Sequence, residues 1–485
     1  MTDAVAPQDQ PASPSVPSLS AGARARAILG GSAGNLVEWY DWFAYAAFTL
    51  YFAPHFFPKG DQTVQLLQAA AVFFLGFVAR PVGAWLMGHY ADRAGRRAAL
   101  SVSVSLMCAG ALIIALTPDF KTIGLFAPAV LLIARVLQGL SVGGEYGASA
   151  TYMSEMAGRS RRGFWSSFHY VTLIAGQLIA LAVLIILQRT LAKEDLAAWG
   201  WRIPFVIGAG LAVVVFWIRR GLEESVSFKT ADKPAESIGK TQRNLALLFF
   251  VLTLAAGGWI LARPGLVPQV LAGVFLVGFF ATLVAPLLAR HPRETLMIMG
   301  LTAGGSLTFY VYTTYMQKFL VNTAGFEKAQ ASEISAISMI VFMLLQPLSG
   351  WLSDKLGRKP MLIVAYAGGA LTIWPIMSGI AATDSVPVAL ALIVAGMTIQ
   401  SAYTAISAVV KAELFPAHVR ALGVALPYAV ANVLFGGTAE MVALAFKHAG
   451  IESGFYLYVA GIMTVGLVVS ILLRDTARHS LIAED

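Results

Sequence analysis

Gly88-His89-Tyr90-Ala91-Asp92-Arg93-Ala94-Gly95-Arg96-Arg97 and Gly350-Trp351-Leu352-Ser353-Asp354-Lys355-Leu356-Gly357-Arg358-Lys359 share one pattern, Gly-x-x-x-Asp-basic-x-Gly-Arg-basic. A second pair repeats on the same terms. Glu155 precedes Arg162 by seven residues, and Glu413 precedes Arg420 by the same interval. Two motifs recurring in the same order describe a chain of two related halves, the organisation of membrane carriers in which one repeat rocks against the other around a midplane site.

Working outward, the rest of the chain is greasy. Of 485 residues, 58% are apolar and 12% charged, with a mean hydropathy of +0.72. A soluble protein would lack polar surface at that composition, and a disordered one would lack charge. The chain is therefore read as an all-α polytopic membrane protein. Its net charge of +8 reflects basic residues scattered between apolar segments, which argues for topology signals and against nucleic acid. Cys108, the single cysteine, has no intrachain partner for a disulfide.

A helix needs about 20 apolar residues to span a bilayer. Fourteen such stretches are read, at 27–53, 66–91, 98–117, 122–152, 163–189, 202–219, 244–262, 266–289, 296–321, 332–353, 360–382, 385–414, 419–446 and 452–474. Threaded this way, 22 of the 34 Lys and Arg fall on the side of the amino terminus and 8 on the other. Both termini are thus expected in the cytoplasm. The expected organisation is a disordered tail at 1–22, a six-helix half at 23–221, a central linker with two extra apolar helices at 222–295, a second six-helix half at 296–474 and a short tail at 475–485. A two-span hairpin leaves the second half in its original orientation, so the addition is topologically silent.

The paired loop motifs resemble the signature of the major facilitator superfamily. Within it, Gly34-Asn35-Leu36-Val37-Glu38-Trp39-Tyr40-Asp41, Arg80-Pro81-Val82-Gly83, Arg135-Val136-Leu137-Gln138-Gly139 and Gly143-Gly144-Glu145-Tyr146-Gly147 resemble the metabolite:proton symporter family. Tyr312-Thr313-Thr314-Tyr315-Met316-Gln317-Lys318 and Lys411-Ala412-Glu413-Leu414-Phe415-Pro416 look like its 2-oxoglutarate permeases. The resemblance covers roughly 25–222 and 297–474. It implies an inner-membrane, proton-coupled importer of a small dicarboxylate, acting as a monomer without metal or cofactor. Family members have twelve spans, so 244–289 departs from the pattern.

Charged residues at membrane depth carry the chemistry, because a central Arg or Lys costs about 2.5–3.5 kcal/mol even on lenient scales. Arg80, Arg135, Lys318 and Lys411 need partners, and Glu38, Asp41 and Glu145 are available. A guanidinium grips a carboxylate through two parallel hydrogen bonds. Arg80 in one half and Lys318 in the other would suit a cargo with a carboxylate at each end. Arg135, Gln177, Tyr312, Tyr315 and Tyr403 complete the expected substrate set. Asp41 and Arg135 further resemble the first-span Asp and fourth-span Arg of proton-coupled sugar porters, which implies that Asp41 carries the proton while Arg135 senses its charge, with Glu38 and Glu145 as competing acids. Burial disfavours a charged carboxylate and a neighbouring Arg favours it, so the two effects can balance near neutral pH.

For the loops, the resemblance implies charge networks that close the inner gate, formed by Asp92, Arg93, Arg96, Glu155 and Arg162 in the first half and Asp354, Arg358, Glu413 and Arg420 in the second. Gly139, Gly143 and Gly147 recur every fourth residue, as helices in close contact require. The seven histidines are dispersed, with no metal-binding spacing. Carriers of tricarboxylates, monocarboxylates or zwitterionic osmolytes in the same family are the alternative reading, with a membrane enzyme or a transport-inactive sensor less favoured.

Overall fold

The computed structural model describes residues 21–58, 60–94, 96–143, 161–220, 240–262, 266–415, 417–477 and 479–480, without the side chains of 21–34, 87–101, 215–220, 240, 261–262, 266, 417–419 and 421. All regular structure among them is helical. In hydrocarbon a helix satisfies its own backbone, so long apolar runs leave the chain little alternative.

The first half contains α1 (Ala21–Phe56), α2 (Gln62–Ala94), α3 (Arg96–Leu116), α4 (Phe126–Val142), α5 (Phe168–Thr190) and α6 (Ile203–Arg220). Two further helices, α7 (Lys240–Ala262) and α8 (Leu266–Arg290), precede the second half. That half contains α9 (Pro292–Tyr310), α10 (Lys328–Leu356), α11 (Arg358–Ala381), α12 (Val386–Thr404), α13 (Ala417–Ala431) and α14 (Glu452–Leu472). Among the described residues, ten helices are long and apolar enough to cross a membrane, and three more apolar helices are shorter, at Val102–Leu116, Phe126–Val142 and Gly200–Val214.

Several helices run past the apolar stretches read from sequence, and some are broken where a continuous segment was expected. The stretch from 122 opens instead on a separate turn, Phe120–Ile123, because Gly124 turns the chain at φ +55° before α4 begins. α9 passes into a π-helical turn, Val311–Tyr315, before continuing as Met316–Asn322. α13 does the same at Asn432–Gly437 before Ala439–His448. π turns frequently accompany functional sites.

Within the halves, α2 packs on α4, α1 on α5 and α3 on α6, matched by α10 on α12, α9 on α13 with the π turn that follows it, and α11 on α14. The seam between halves is α5 against α10, and α2 against α13 and, more extensively, the π turn and Ala439–His448 that continue it. The α7/α8 pair straddles that second seam. α7 packs on α2 and α4, while α8 packs on α9 and α13. Its outer surface is apolar and exposed, as at Val251, Val267 and Val277, which suits a lipid environment.

Candidate functional site

The α2–α4 contact is backbone against backbone. A Cβ on Gly139 would strike the Gly76 carbonyl oxygen, and one on Gly143 would strike the Arg80 carbonyl oxygen. This close approach presents Arg80 and Arg135 to α1. The Arg135 guanidinium carbon sits 3.9 Å from a Trp42 ring centroid and 4.5 Å from Tyr45. The Arg80 carbon sits 3.9 Å from Trp42 and 4.1 Å from Phe77. Trp42, which no sequence argument singled out, thus lies beside both cations and stabilises them through its ring face. Both arginines are buried, and Nε and Nη2 of each have no hydrogen-bond partner among the described residues.

Asp41 and Arg135 are brought together indirectly. Arg135 Nη1 donates to Gln138 Oε1 at 2.7 Å, and Gln138 Nε2 donates to Asp41 Oδ2 at 2.5 Å. The amide is therefore a bridge between acid and cation. Gln138 stood in a motif that the sequence reading quoted without assigning it a role; its position three residues after Arg135, on the same helical face, was the available signal. The rest of that α1 motif is structural. Trp39 Nε1 donates to Asn35, Asn35 Nδ2 donates to Thr172 of α5, and the Tyr40 hydroxyl donates to the Pro204 carbonyl. Glu38 is buried on the same helix.

Between the halves, a small cleft is lined by Phe43 and Gln177 from one side and Thr313, Thr314, Gln317 and Ser335 from the other. Both amide atoms of Gln177 and the Thr314 hydroxyl lack a hydrogen-bond partner among the described residues. Buried amides and hydroxyls are ordinarily satisfied, so these groups are polar points able to meet a polar cargo in a lining that Ala46, Ala47, Leu181 and Met339 otherwise make apolar. Tyr310 links cleft to cation, since its ring lies 6.4 Å from Phe43 and 5.4 Å from Phe77, the residue under Arg80.

Other expected substrate residues stand elsewhere. Lys318 Nζ is 2.7 Å from Glu440 Oε2, both buried, so this ammonium already has a counter-ion. Glu440 was missed, although an acid inside the apolar 419–446 stretch is the same signal that drew attention to Glu38. The Tyr312 hydroxyl packs against Gly396, and Tyr315 reaches Glu452 at 3.4 Å. Tyr403 rests against Tyr366, with ring centroids 5.5 Å apart. None of these three tyrosines lines the cleft. Lys411 is buried beside Ser407, at 2.8 Å, and the Tyr428 ring, at 4.2 Å.

Both ends of the seam are closed. At one, the Asp354 carboxylate accepts the Gly163 and Phe164 amides at 2.8 and 2.9 Å and pairs with Arg358 at 2.8 Å. An acid of the second half thereby caps the short helix Arg162–Ser166 that leads into α5, meeting its unpaired amides and positive dipole end. Glu413 stands between Arg162, 3.8 Å away, and Arg358, 3.9 Å away, and accepts from Thr476 at 2.6 Å. The second-half acid Glu413 thus answers a first-half arginine, where the sequence grouped charges half by half. Arg420 Nε donates to the Phe415 carbonyl at 3.0 Å. At the other end, Gln188 donates to Tyr51 and Ser332 at 2.8 and 3.1 Å, and Lys328 donates to the Leu50 carbonyl at 3.0 Å. Arg189 meets Glu333 across the same rim at 2.8 Å.

Glu145 and Glu155, most of the 1–22 tail and the 222–239 part of the linker lie outside the described residues, as do the side chains of Asp92, Arg93 and Arg96. Among the described residues no three His, Cys, Asp or Glu stand together to hold a metal ion.

Comparison with known proteins agrees with this architecture. The profile of the sugar (and other) transporter family matches residues 27–483. The chain is 47% identical over 449 residues to the alpha-ketoglutarate permease of Escherichia coli (strain K12), covering 92% of this chain and 93% of that protein. It is 31% identical over 424 residues to the citrate-proton symporter of Klebsiella pneumoniae, covering 87% and 86%. Its fold matches that of the E. coli xylose transporter XylE, of the major facilitator superfamily, with a TM-score of 0.67 at 17% identity over 92% of this chain and 98% of that one. The chain belongs to the sugar (and other) transporter family: it is a polytopic membrane transporter with the major facilitator fold, and not an enzyme.

Proposed function

We propose that the protein is a proton-coupled symporter that imports a small dicarboxylate, 2-oxoglutarate or a near analogue, by alternating access. The observation that carries this reading is Arg80, a buried guanidinium on the α2–α13 seam with two donor nitrogens unengaged by the described residues. Such a group matches a carboxylate in charge and geometry. The unengaged Gln177 and Thr314 supply neutral hydrogen bonds in the cleft between the halves. The names of the relatives, a permease for alpha-ketoglutarate and a symporter for citrate and protons, support an organic acid as cargo.

Asp41 is the proton carrier in this reading, with Gln138 relaying its charge state to Arg135. Energetics favour coupling. At 100 mV inside-negative, importing each negative charge costs about 2.3 kcal/mol, and a dianion incurs that cost twice. Inward protons cancel the charge and add the pH gradient. The closed ends support an occluded conformation as one station of the cycle, with the network of Asp354, Arg358, Glu413 and Arg162 as the cytoplasmic gate, joined by Asp92, Arg93, Arg96 and Glu155. The carrier is a monomer in the inner membrane with both termini cytoplasmic, fourteen spans, two six-helix halves at 23–221 and 296–474, and α7/α8 as an added hairpin.

Uptake of mono-, di- and tricarboxylates into proteoliposomes, with and without an imposed proton gradient, tests the function. Gradient-driven accumulation of dicarboxylates supports it. Preference for a tricarboxylate would move the substrate assignment, and the absence of organic-acid uptake would refute it.

A further inference from the structure

Among the described residues, the Lys318–Glu440 pair is the buried ion pair that the proposed mechanism leaves without a task. Lys318 is 1% and Glu440 5% exposed, with nitrogen and oxygen 2.7 Å apart. Each follows a π turn directly: Lys318 comes after Val311–Tyr315 and Glu440 after Asn432–Gly437. Thr314, one turn before Lys318, and Gln317, its neighbour, line the cleft between the halves. The ammonium thus stands one helical turn from the cleft lining and already holds a carboxylate, so a substrate carboxylate can pair with it only by displacing that one.

We propose that Glu440 is a positioning residue that controls Lys318 by protonation: when the Glu440 carboxylate takes up a proton it gives up the ammonium, and a substrate carboxylate replaces it. The exchange balances. Before it, Lys318 is positive and Glu440 negative; after it, Lys318 is positive, the substrate carboxylate negative and Glu440 neutral, with one proton bound per carboxylate seated. The buried cation is never left without an anion, the arrangement that would be most costly in a site of low polarity. A proton and a substrate carboxylate are thereby admitted together, in the half that lacks Asp41.

Among the described residues, the other charged groups around Glu440 are engaged elsewhere. Tyr315 on the π turn and Tyr45 on α1 are within electrostatic range of Glu440. Lys447, two turns further along, is engaged with Thr323 at 2.7 Å and Glu452 at 3.4 Å. Glu452 of α14 is itself held by Thr323 at 2.6 Å. α2 also packs here, and its membrane-depth charge, Arg80, rests on Trp42 and Phe77.

This inference rests on the dicarboxylate–proton reading, and the test separates the two. Binding of 2-oxoglutarate to the purified full-length carrier is measured by calorimetry from pH 5.5 to 8.5 for the wild type, Glu440→Gln and Asp41→Asn. One proton taken up with the substrate makes affinity fall tenfold per pH unit above the titration range. Glu440→Gln is expected to lessen the slope by one such tenfold step and to bind at least tenfold more tightly than wild type at pH 8.5, because Lys318 is no longer held. A slope equal to that of wild type overturns the role of Glu440. If in addition Asp41→Asn flattens the profile, the symport reading survives without it. Wild type that binds no dicarboxylate at any pH overturns both. Should Glu440→Gln fail to fold with its unpaired cation, Lys318→Gln/Glu440→Gln leaves no charge at this pair. That double variant is expected to bind at least tenfold more weakly than wild type at pH 5.5 and to show the lessened slope; a wild-type slope in it would equally overturn the proposal.

Discussion

At the scale of single residues, the proposed cycle assigns the substrate carboxylate to Arg80 and the proton to Asp41. Arg80→Ala is expected to weaken dicarboxylate affinity by tenfold or more, since a charged hydrogen-bonded contact is worth about 1.5–3 kcal/mol; Arg80→Lys should not restore it, because a point charge lacks the planar fork. Equilibrium binding checks both, and normal affinity in Arg80→Ala would remove it from the site. Asp41→Asn should abolish gradient-driven accumulation yet allow exchange of labelled for unlabelled substrate, and paired uptake and counterflow assays decide that. The charged members of the site were legible in sequence, because an arginine or aspartate in an apolar helix stands out on cost alone. Gln138, Trp42 and the Lys318–Glu440 pairing were harder to see. Amides and indoles are unremarkable in a helix, and which acid meets which base depends on the packing of α9 against the part of α13 beyond its π turn, which one sequence does not state.

Two contacts between elements decide how the site is assembled. The α2–α4 seam needs glycine at Gly143, because any side chain would land on the Arg80 backbone. Gly143→Ala should therefore destabilise the fold by about 1–3 kcal/mol and disturb Arg80, visible as a lowered melting temperature in detergent together with weakened binding. The glycine spacing announced this seam from sequence, although not which helix it faces. The second contact is the capping of Arg162–Ser166 by Asp354. Asp354→Asn removes charge from two amide bonds and from the Arg358 pair, and should shift the balance toward opening at that end by about 1–3 kcal/mol. Spin-label distances across that face are expected to lengthen, and an unchanged distribution would argue that the cap does not hold the gate. Repetition of the loop motif made a network readable, but its crossing between halves emerges only when α5 and α10 meet.

At the scale of the whole molecule, alternation of apolar and polar stretches pointed to an all-helical membrane fold and to the approximate places of the described helices, because a bilayer leaves the backbone no other way to satisfy itself. The breaks at Gly124 and in the two π turns escaped that reading, since hydropathy averages over the residues that bend a helix. Where α7 and α8 lie was likewise hidden: both read simply as apolar, yet they bridge the α2–α13 seam. With both present as spans, a cysteine introduced by Arg263→Cys in a Cys108→Ser background should react with impermeant maleimide from the side opposite the termini; protection there would argue against fourteen spans. The central claim is that buried cations face a chamber that admits acid and proton together. Proteoliposomes containing a trapped pH dye, given external 2-oxoglutarate with no starting gradient, test it most directly. The account predicts prompt acidification of the lumen in step with substrate entry, lost in Asp41→Asn; substrate entry with no change in internal pH would contradict it.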